Sequence, residues 1–123
     1  MPWFAAHTIT YFRFKDGQGG DIPVWENVIL VEAGNRGMAA QEAEKLAHDG
    51  EGSFGGLATM HGRPGEVVFA GVRKVQLVGD AKPGDGEEVS YVELTVSDLA
   101  SVRALASGES VSVVCDRVID ERP

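Results

Sequence analysis

A chain of 123 residues, 43% hydrophobic and 24% charged, has the size and composition of one soluble globular domain. Nineteen acidic residues against eleven basic ones give a net charge of −8, which argues against nucleic-acid binding, because such proteins gather Lys and Arg against phosphates. The single cysteine, Cys115, rules out an internal disulfide and fits a reducing compartment, and no apolar run could span a bilayer, so we expect a bacterial-type cytoplasmic protein without membrane contact.

The N-terminal part predicts two strands followed by a helix. Residues 3–15 and 24–33 are rich in aromatic and β-branched types, and the Gly- and Asp-rich stretch between them suits a hairpin turn. The period then changes to that of a helix, with Ala39, Ala43, Leu46 and Ala47 on one face. Asn35 is the expected N-cap and Gly50 the expected helix end.

The remaining chain predicts two further strands, a short helix and a last strand. Residues 49–65 are expected to be loop, 66–78 a long strand with a bulge or close backbone approach at Gly71, and 88–96 a strand with alternating polarity. Ser97 or Asp98 caps a helix that Gly108 closes, and 110–119 are the last strand. The order ββαββαβ predicts a single α+β domain over residues 1–123, with a largely antiparallel sheet of about five strands and two helices.

The segment GEGSFG at residues 50–55 has the spacing of a phosphate-binding glycine motif. In a dinucleotide-binding fold that motif follows a strand and opens a helix, so that the helix N-terminus faces the phosphates. Here the glycines follow the predicted helix instead, and the first lysine after them is Lys74. We therefore expect no nucleotide cofactor at this segment.

The other chemically active residue types are scattered along the chain. His7, His48 and His61 do not share a metal-ligand spacing, so no metal site is expected. Cys115 lies in an apolar predicted strand, where a thiol is ordinarily an inert small hydrophobe. The sequence thus assigns no catalytic, cofactor-binding or metal-binding residue.

Acidic side chains on the predicted strands leave two interpretations open. Glu26, Glu66 and Glu93 either face one another, as acid–base chemistry needs, or lie on solvated strand faces, which is the commoner case. Arg73 either forms an internal ion pair with Glu26, which we favour, or holds the carboxylate of a ligand. Adjacent Lys74 is expected on the opposite sheet face.

Two predicted strand segments are apolar on both faces. In residues 24–33 and 67–72, apolar side chains occupy odd and even positions alike, a pattern found where both faces of a sheet are covered. Two short helices, expected on the same face, are too few to cover both. The second face therefore needs the long loops, a second copy of the chain or a protein partner.

Four segments resemble a family of small bacterial domains of unknown function. They are Trp3-Phe4, WENVILVEA at 25–33, AAQEAEKLA at 39–47 and VFAGVRKV at 68–75, so the resemblance covers about residues 3–78. Residues 80–123 form an extension beyond it. The family has no known activity or catalytic residues, so the resemblance implies only a bacterial cytoplasmic domain.

These observations lead to two functional hypotheses. The first is a small acidic protein-interaction module without catalytic activity, either homo-oligomeric and accessory or an immunity- or antitoxin-like inhibitor of a basic protein. The second is a small-ligand-binding protein or enzyme with a pocket near Trp3, His7, Trp25 and Arg73. Together with Glu26, these four residues are the candidate interaction or pocket positions.

Overall fold

The computed structural model describes residues 1–52, 58–115 and 117–118, with residues 50–52 described by their backbone alone. It confirms an α+β fold with two helices and mostly antiparallel strands. The elements are β1 (Trp3–Phe14), β2 (Val24–Glu32), α1 (Arg36–Gly52), β3 (Ala58–Met60), β4 (Arg63–Gly79), β5 (Leu94–Thr95), α2 (Leu99–Ala106) and β6 (Val114–Cys115). The main sheet has four strands in the order β2-β1-β4-β3, and β5 pairs with β6 in a separate two-stranded sheet. The predicted single sheet of about five strands is corrected accordingly.

The hairpin of β1 and β2 forms as the sequence predicts. Its register runs from Trp3 opposite Glu32 to Tyr11 opposite Val24. In the connection between the strands, Gly17 has a φ of 75°, a backbone conformation that residues with a Cβ atom disfavour. The hairpin places β1 at the centre of the sheet and leaves β2 as an edge strand among the described strands.

The pairing of β1 with β4 is interrupted by bulges on both sides of Gly71. The register shifts between His7 and Thr8, whose partners are Lys74 and Val72, and again between Ile9 and Thr10. Each shift inserts an extra β4 residue, as a β-bulge does. The bulge expected near Gly71 is therefore confirmed.

Helix α1 packs through alanines on one face of the main sheet. Its N-cap is Asn35, whose side chain accepts a hydrogen bond from the Met38 amide at 2.8 Å. The core cluster combines alanines of α1 with residues of β1, β4 and the β2 end: Phe4, Ala6, Val31, Ala33, Ala39, Ala40, Ala43 and Val75. Small side chains bring the helix axis close to the sheet. Leu46, predicted on the buried face, is instead exposed, and the helix continues past Gly50 to Gly52.

Part of the predicted loop 49–65 is a hairpin. His61 and Gly62 have φ values of 54° and 75°, so both central residues of the two-residue turn are left-handed, as a type I′ turn requires. This turn pairs β3 with the start of β4, with Met60 opposite Arg63. Ser53 and the rest of the glycine motif after Gly52 lie outside the described residues.

The C-terminal elements are shorter than predicted. The expected strands 88–96 and 110–119 reduce, within the described residues, to the two-residue pairs of β5 and β6. Helix α2 begins at its predicted cap, since Asp98 accepts from the Ser101 amide at 2.8 Å, and Gly108 follows it at a φ of 83°. None of its residues is buried, so the expectation that both helices cover the sheet is wrong. Cys115, predicted inside an apolar strand, is exposed.

Candidate functional site

The main sheet has two faces that carry different chemistry. Phe4 and Val31 lie opposite each other and belong to the core under α1, so they define the helix face. His7 and Val28 lie opposite each other on the other side of the strands, and we call this side the second face. The candidate functional residues divide between these two surfaces.

His7 is the centre of a polar cluster on the second face. Its side chain is 1% exposed, and both ring nitrogens are hydrogen-bonded. Nδ1 lies 2.6 Å from Oε2 of Glu26, and Nε2 lies 2.5 Å from Oγ of Ser90. In a neutral imidazole, Nδ1 donates its proton to the carboxylate and Nε2 accepts the Ser90 hydroxyl proton, so both partners are satisfied. A buried polar side chain is stable in the sheet only with such partners.

Arg73 extends this cluster through the bulge in β4. Its Nη1 lies 3.4 Å from Oε2 of Glu26, so the predicted internal ion pair is confirmed. Lys74, on the same side, donates from Nζ to the carbonyl of Tyr91 at 2.7 Å and lies 3.8 Å from the centroid of its ring. The expectation that Arg73 and Lys74 point to opposite faces is wrong, because the extra bulge residue breaks the strand alternation.

The chain itself therefore covers the middle of the second face. Ser90 and Tyr91, from the segment between β4 and β5, contact His7 and Lys74. Ala5, the neighbour of His7 on this face, has no exposed surface. The cover comes from residues beyond 88, and Ser90 is 83 positions from His7 in the sequence, with no motif that could have signalled the contact.

The predicted pocket residues do not all come together. His7, Glu26 and Arg73 form one cluster on the second face. Trp25 lies opposite Thr10, which in turn faces Phe69, whose ring packs against His48 of α1 at 4.8 Å, so Trp25 lies on the helix face. The proposed common pocket around Trp3, His7, Trp25 and Arg73 is thus separated by the sheet.

Trp3 instead lines an open pocket beside β2 and α1. The pocket has a volume of about 360 Å3. Its lining comes from the N-terminus, the second half of β2 and one flank of α1: Met1, Trp3, Leu30, Val31, Glu32, Ala33, Met38, Glu42 and Leu46. Leu30 and Val31 point to opposite faces, so the pocket wraps the edge of β2. We call it the edge pocket.

Glu66 and Glu93 do not join the His7 cluster through any contact described for them. Glu66 is bonded to Arg13 and lies 3.8 Å from Nζ of Lys15, so it does not form a carboxylate pair with Glu26. Glu93 is exposed. The paired-carboxylate interpretation is therefore not realised by these residues.

A further ion pair links the end of β1 to the start of β4. Oδ2 of Asp16 accepts from Nε of Arg63 at 2.6 Å, and Oδ1 accepts from Nη2 at 2.9 Å. The Arg63 hydrogen bond, with help from the Gln18 amide, lowers the pKa of Asp16 to about 2. The guanidinium also lies 3.7 Å from the centroid of the Phe14 ring. This ion pair stabilises the junction between the two strand ends.

Two groups of exposed apolar side chains each share one face of an element. On β2, three second-face residues, Val24, Val28 and Leu30, are 41–58% exposed. On α2, the residues spaced for one helical face, Leu99, Val102 and Leu105, are 41–61% exposed. Single exposed apolar residues are common on protein surfaces and need no explanation. Several on one face of an element commonly mark an interaction surface.

Two classes of site are not found in the described part of the chain. No group of three or more His, Cys, Asp or Glu side chains is arranged to hold a metal ion there. Among the described residues, neither helix has the length and apolar character needed to cross a membrane.

The chain was also compared with known proteins. Its resemblance to a family of small bacterial domains stays a prediction from residues 3–78. Comparison with protein families, with curated proteins and with solved structures found no match.

Proposed function

We propose that this chain is a small acidic protein-interaction module that acts by binding other protein chains. The observation that carries the proposal is the exposed apolar face of α2. Leu99, Val102 and Leu105 recur on one side of a helix in which no residue is buried. A soluble protein seldom leaves such a face in water unless another surface covers it.

The size of α2 strengthens this argument. An isolated helix of eight residues is marginal in water, because helices shorter than about 12 residues gain too little from their own hydrogen bonds. The Asp98 cap adds about 1 kcal/mol, which does not replace packing. The paired strands β5 and β6 are only two residues long and give little support. A protein partner that covers α2 supplies the missing burial.

The net charge of −8 favours a basic partner by long-range attraction. An immunity- or antitoxin-like inhibitor of a basic protein is therefore one form of the proposed function. A homo-oligomeric accessory protein is the other, and the exposed apolar residues of β2 favour it.

Replacement of one residue on α2 tests the proposal. Val102→Glu places a charge in the middle of the exposed apolar face, whereas Ala100→Glu places the same charge about 160° away around the helix. We expect Val102→Glu to lose a partner that the wild type and Ala100→Glu both retain when the tagged chain is purified from the cells that encode it. Mass spectrometry of the recovered complexes and sedimentation of the purified chain give the readout. A monomeric chain with no partner sensitive to Val102→Glu contradicts the proposal.

The Ser90–His7–Glu26 arrangement favours a second candidate, hydrolysis of an ester. The serine hydroxyl on Nε2 and the carboxylate on Nδ1 have the connectivity of a catalytic triad. In that reaction Ser90 Oγ bonds to the ester carbonyl carbon, its proton passes to His7 Nε2 and then to the leaving alkoxide, and water later releases the acyl group from Ser90. We rank this candidate second because the imidazole is 1% exposed, whereas the substrate carbonyl and the water must both reach it.

A covalent probe separates the two candidates. A fluorophosphonate labels a serine that an imidazole activates, so the hydrolase candidate predicts an adduct on Ser90 that Ser90→Ala abolishes and His7→Gln diminishes. Ser97, an exposed serine of the same chain, is the internal control. Absence of an adduct on Ser90 in the folded protein contradicts the hydrolase candidate and leaves the interaction module.

A further inference from the structure

Strand β2 offers a pairing edge in addition to an apolar face. It lies at one end of the four-stranded sheet, so among the described strands one side of its backbone has no neighbour. This edge is nine residues long and contains no Lys or Pro, which commonly prevent edge-to-edge pairing, and its only charged residues are Glu26 and Glu32. Its side chains include the exposed Val24, Val28 and Leu30.

One of the two acids of β2 is paired. Glu26 is held by Arg73 and His7, although the whole chain has a net charge of −8. Glu32, at the far end of the strand, is the other acid of β2. Near Val28 the edge therefore carries one acid, Glu26, and the charge of that acid is paired, whereas Glu32 and Glu42 lie at the pocket end of the strand.

The edge pocket provides a recess for a side chain of a neighbouring strand. It lies beside Val31 on the helix face, and exposed Met38 and Leu46 of α1 form its far wall. A strand that pairs with β2 runs alongside this recess and places alternate side chains in it, as in recognition by strand addition. Its lining combines the apolar Met38 and Leu46 with the carboxylates of Glu32 and Glu42, so an aromatic side chain that also has an N–H donor, such as Trp, suits it.

We infer that a second copy of this chain pairs antiparallel with β2, with Val28 opposite Val28 of the second copy, and inserts its Trp25 into the edge pocket. This inference rests on the proposed function and names one partner. In that register Trp25 of the second copy lies opposite Val31, and both residues point to the helix face. By symmetry the second pocket receives Trp25 of the first copy, since a two-fold interface is self-complementary.

The register is restricted by geometry and charge. In an antiparallel pair, two residues that lie opposite each other either both direct their N–H and C=O groups at the partner strand or both direct them away. When the two strands are identical, the two-fold axis must therefore pass between two copies of the same residue. With Val28 on the axis, Glu26 faces Leu30 and Glu32 faces Val24, so no two acids are opposite each other. With Glu26 on the axis, two carboxylates would face each other.

Charge exchange at the axis tests this inference. Val28→Lys and Val28→Glu each place like charges directly opposite in a homodimer, and we expect each variant to dimerise more than tenfold more weakly than wild type. A mixture of the two variants places opposite charges together, and we expect it to recover a heterodimer. Thr59→Lys and Thr59→Glu, on the exposed edge strand β3, are the matched controls and should behave as wild type. Sedimentation equilibrium over a concentration series up to about 100 μM measures the association.

The outcomes separate this inference from the proposed function. A wild type that remains monomeric overturns the inference, and the α2 experiment then decides the proposed function independently. A dimer that persists unchanged in Val28→Lys overturns the β2 pairing and shows that the copies associate through another surface. Dimerisation lost in each variant and recovered in the mixture supports the pairing.

A cross-linking measurement covers the case in which charged variants fail to fold. In a Cys115→Ser background, Val28→Cys should form an intermolecular disulfide on mild oxidation. The Cα atoms of facing residues in an antiparallel pair lie about 4.5–5.5 Å apart, which is within the range that a disulfide spans. Thr59→Cys in the same background should remain reduced. Equal cross-linking of both variants overturns the inference.

Discussion

At the scale of single residues, Gly65 is the described glycine with the least room for a side chain. A Cβ at this position would lie 2.7 Å from Cζ of Phe12 and would also clash with the carbonyl oxygen of Arg13. The backbone carbonyl cannot move without breaking the pairing of β1 with β4. The sequence pattern suggested Gly71 for this role, but a Cβ at Gly71 meets no atom within 4 Å.

We therefore expect Gly65→Ala to lower the free energy of unfolding by about 3 kcal/mol, because the added methyl group overpacks against Phe12 and the Arg13 carbonyl. Gly71→Ala, in the same strand and with open space around it, should change stability by less than about 1 kcal/mol. Urea unfolding followed by circular dichroism measures both. Equal losses would show that β4 requires glycine for another reason.

Asp16 gives a prediction for acid pH. Its pKa is lowered to about 2, below the ordinary value of 3.8, so its bond to Arg63 stabilises the folded chain fully above about pH 4 and is lost as the pH falls through 2. Asp16→Asn should lose stability relative to wild type at neutral pH, and the difference should vanish toward pH 2. Urea midpoints of the two proteins at several pH values test this. Asp21→Asn, at an exposed acid of the same connection, is the control for the loss of one negative charge.

At the scale of elements, the sequence predicted those whose pairing partners are close in the chain. The β1–β2 hairpin follows from two apolar runs and a Gly-rich turn, and α1 follows from the spacing of Ala39 and Ala43. Residues 88–96 also alternate in polarity, yet only Leu94 and Thr95 pair. Alternation reports which side chains are apolar, whereas a strand needs hydrogen bonds from another strand. For the same reason the ion pair of Glu26 and Arg73 was predictable from two strands, but the contact of Ser90 with His7 was not.

The independence of α2 yields a prediction at this scale. Asp98→Ala removes the N-cap, which is worth about 1 kcal/mol to a helix. Because no residue of α2 is buried, we expect faster hydrogen exchange within α2 and no change in the unfolding midpoint of the main sheet. Ser97→Ala, the neighbouring replacement, should alter neither. A lower midpoint of the whole chain for Asp98→Ala would mean that α2 and the sheet unfold together.

At the scale of the whole molecule, charge and apolar burial oppose each other. Two copies joined through β2 bring together twice the net charge of −8, while the contact itself is apolar. Salt shortens the range of the repulsion, to about 10 Å at 0.1 M ionic strength. The acidic composition was evident from the sequence, but the position of the apolar edge relative to the charges required the fold.

We therefore expect the dissociation constant of the proposed dimer to fall several-fold as the ionic strength rises from about 0.05 to 0.5 M. Sedimentation equilibrium at each salt concentration tests this expectation. Weaker association at higher salt would indicate that ion pairs between the copies dominate the interface. The mixture of Val28→Lys and Val28→Glu is the control, and its dissociation constant should fall less with salt, because salt also weakens the added ion pair.

The anchoring of Ser90 and Tyr91 on the second face has a consequence for the geometry of such a pair. In a continuous sheet formed through β2, both copies of the segment that leads to α2 start from the same side, opposite both α1 helices. A target with two binding sites could then contact both copies of α2 at once, so that the second contact forms at a high effective concentration. Dimerisation through β2 would thereby make the binding by α2 bivalent.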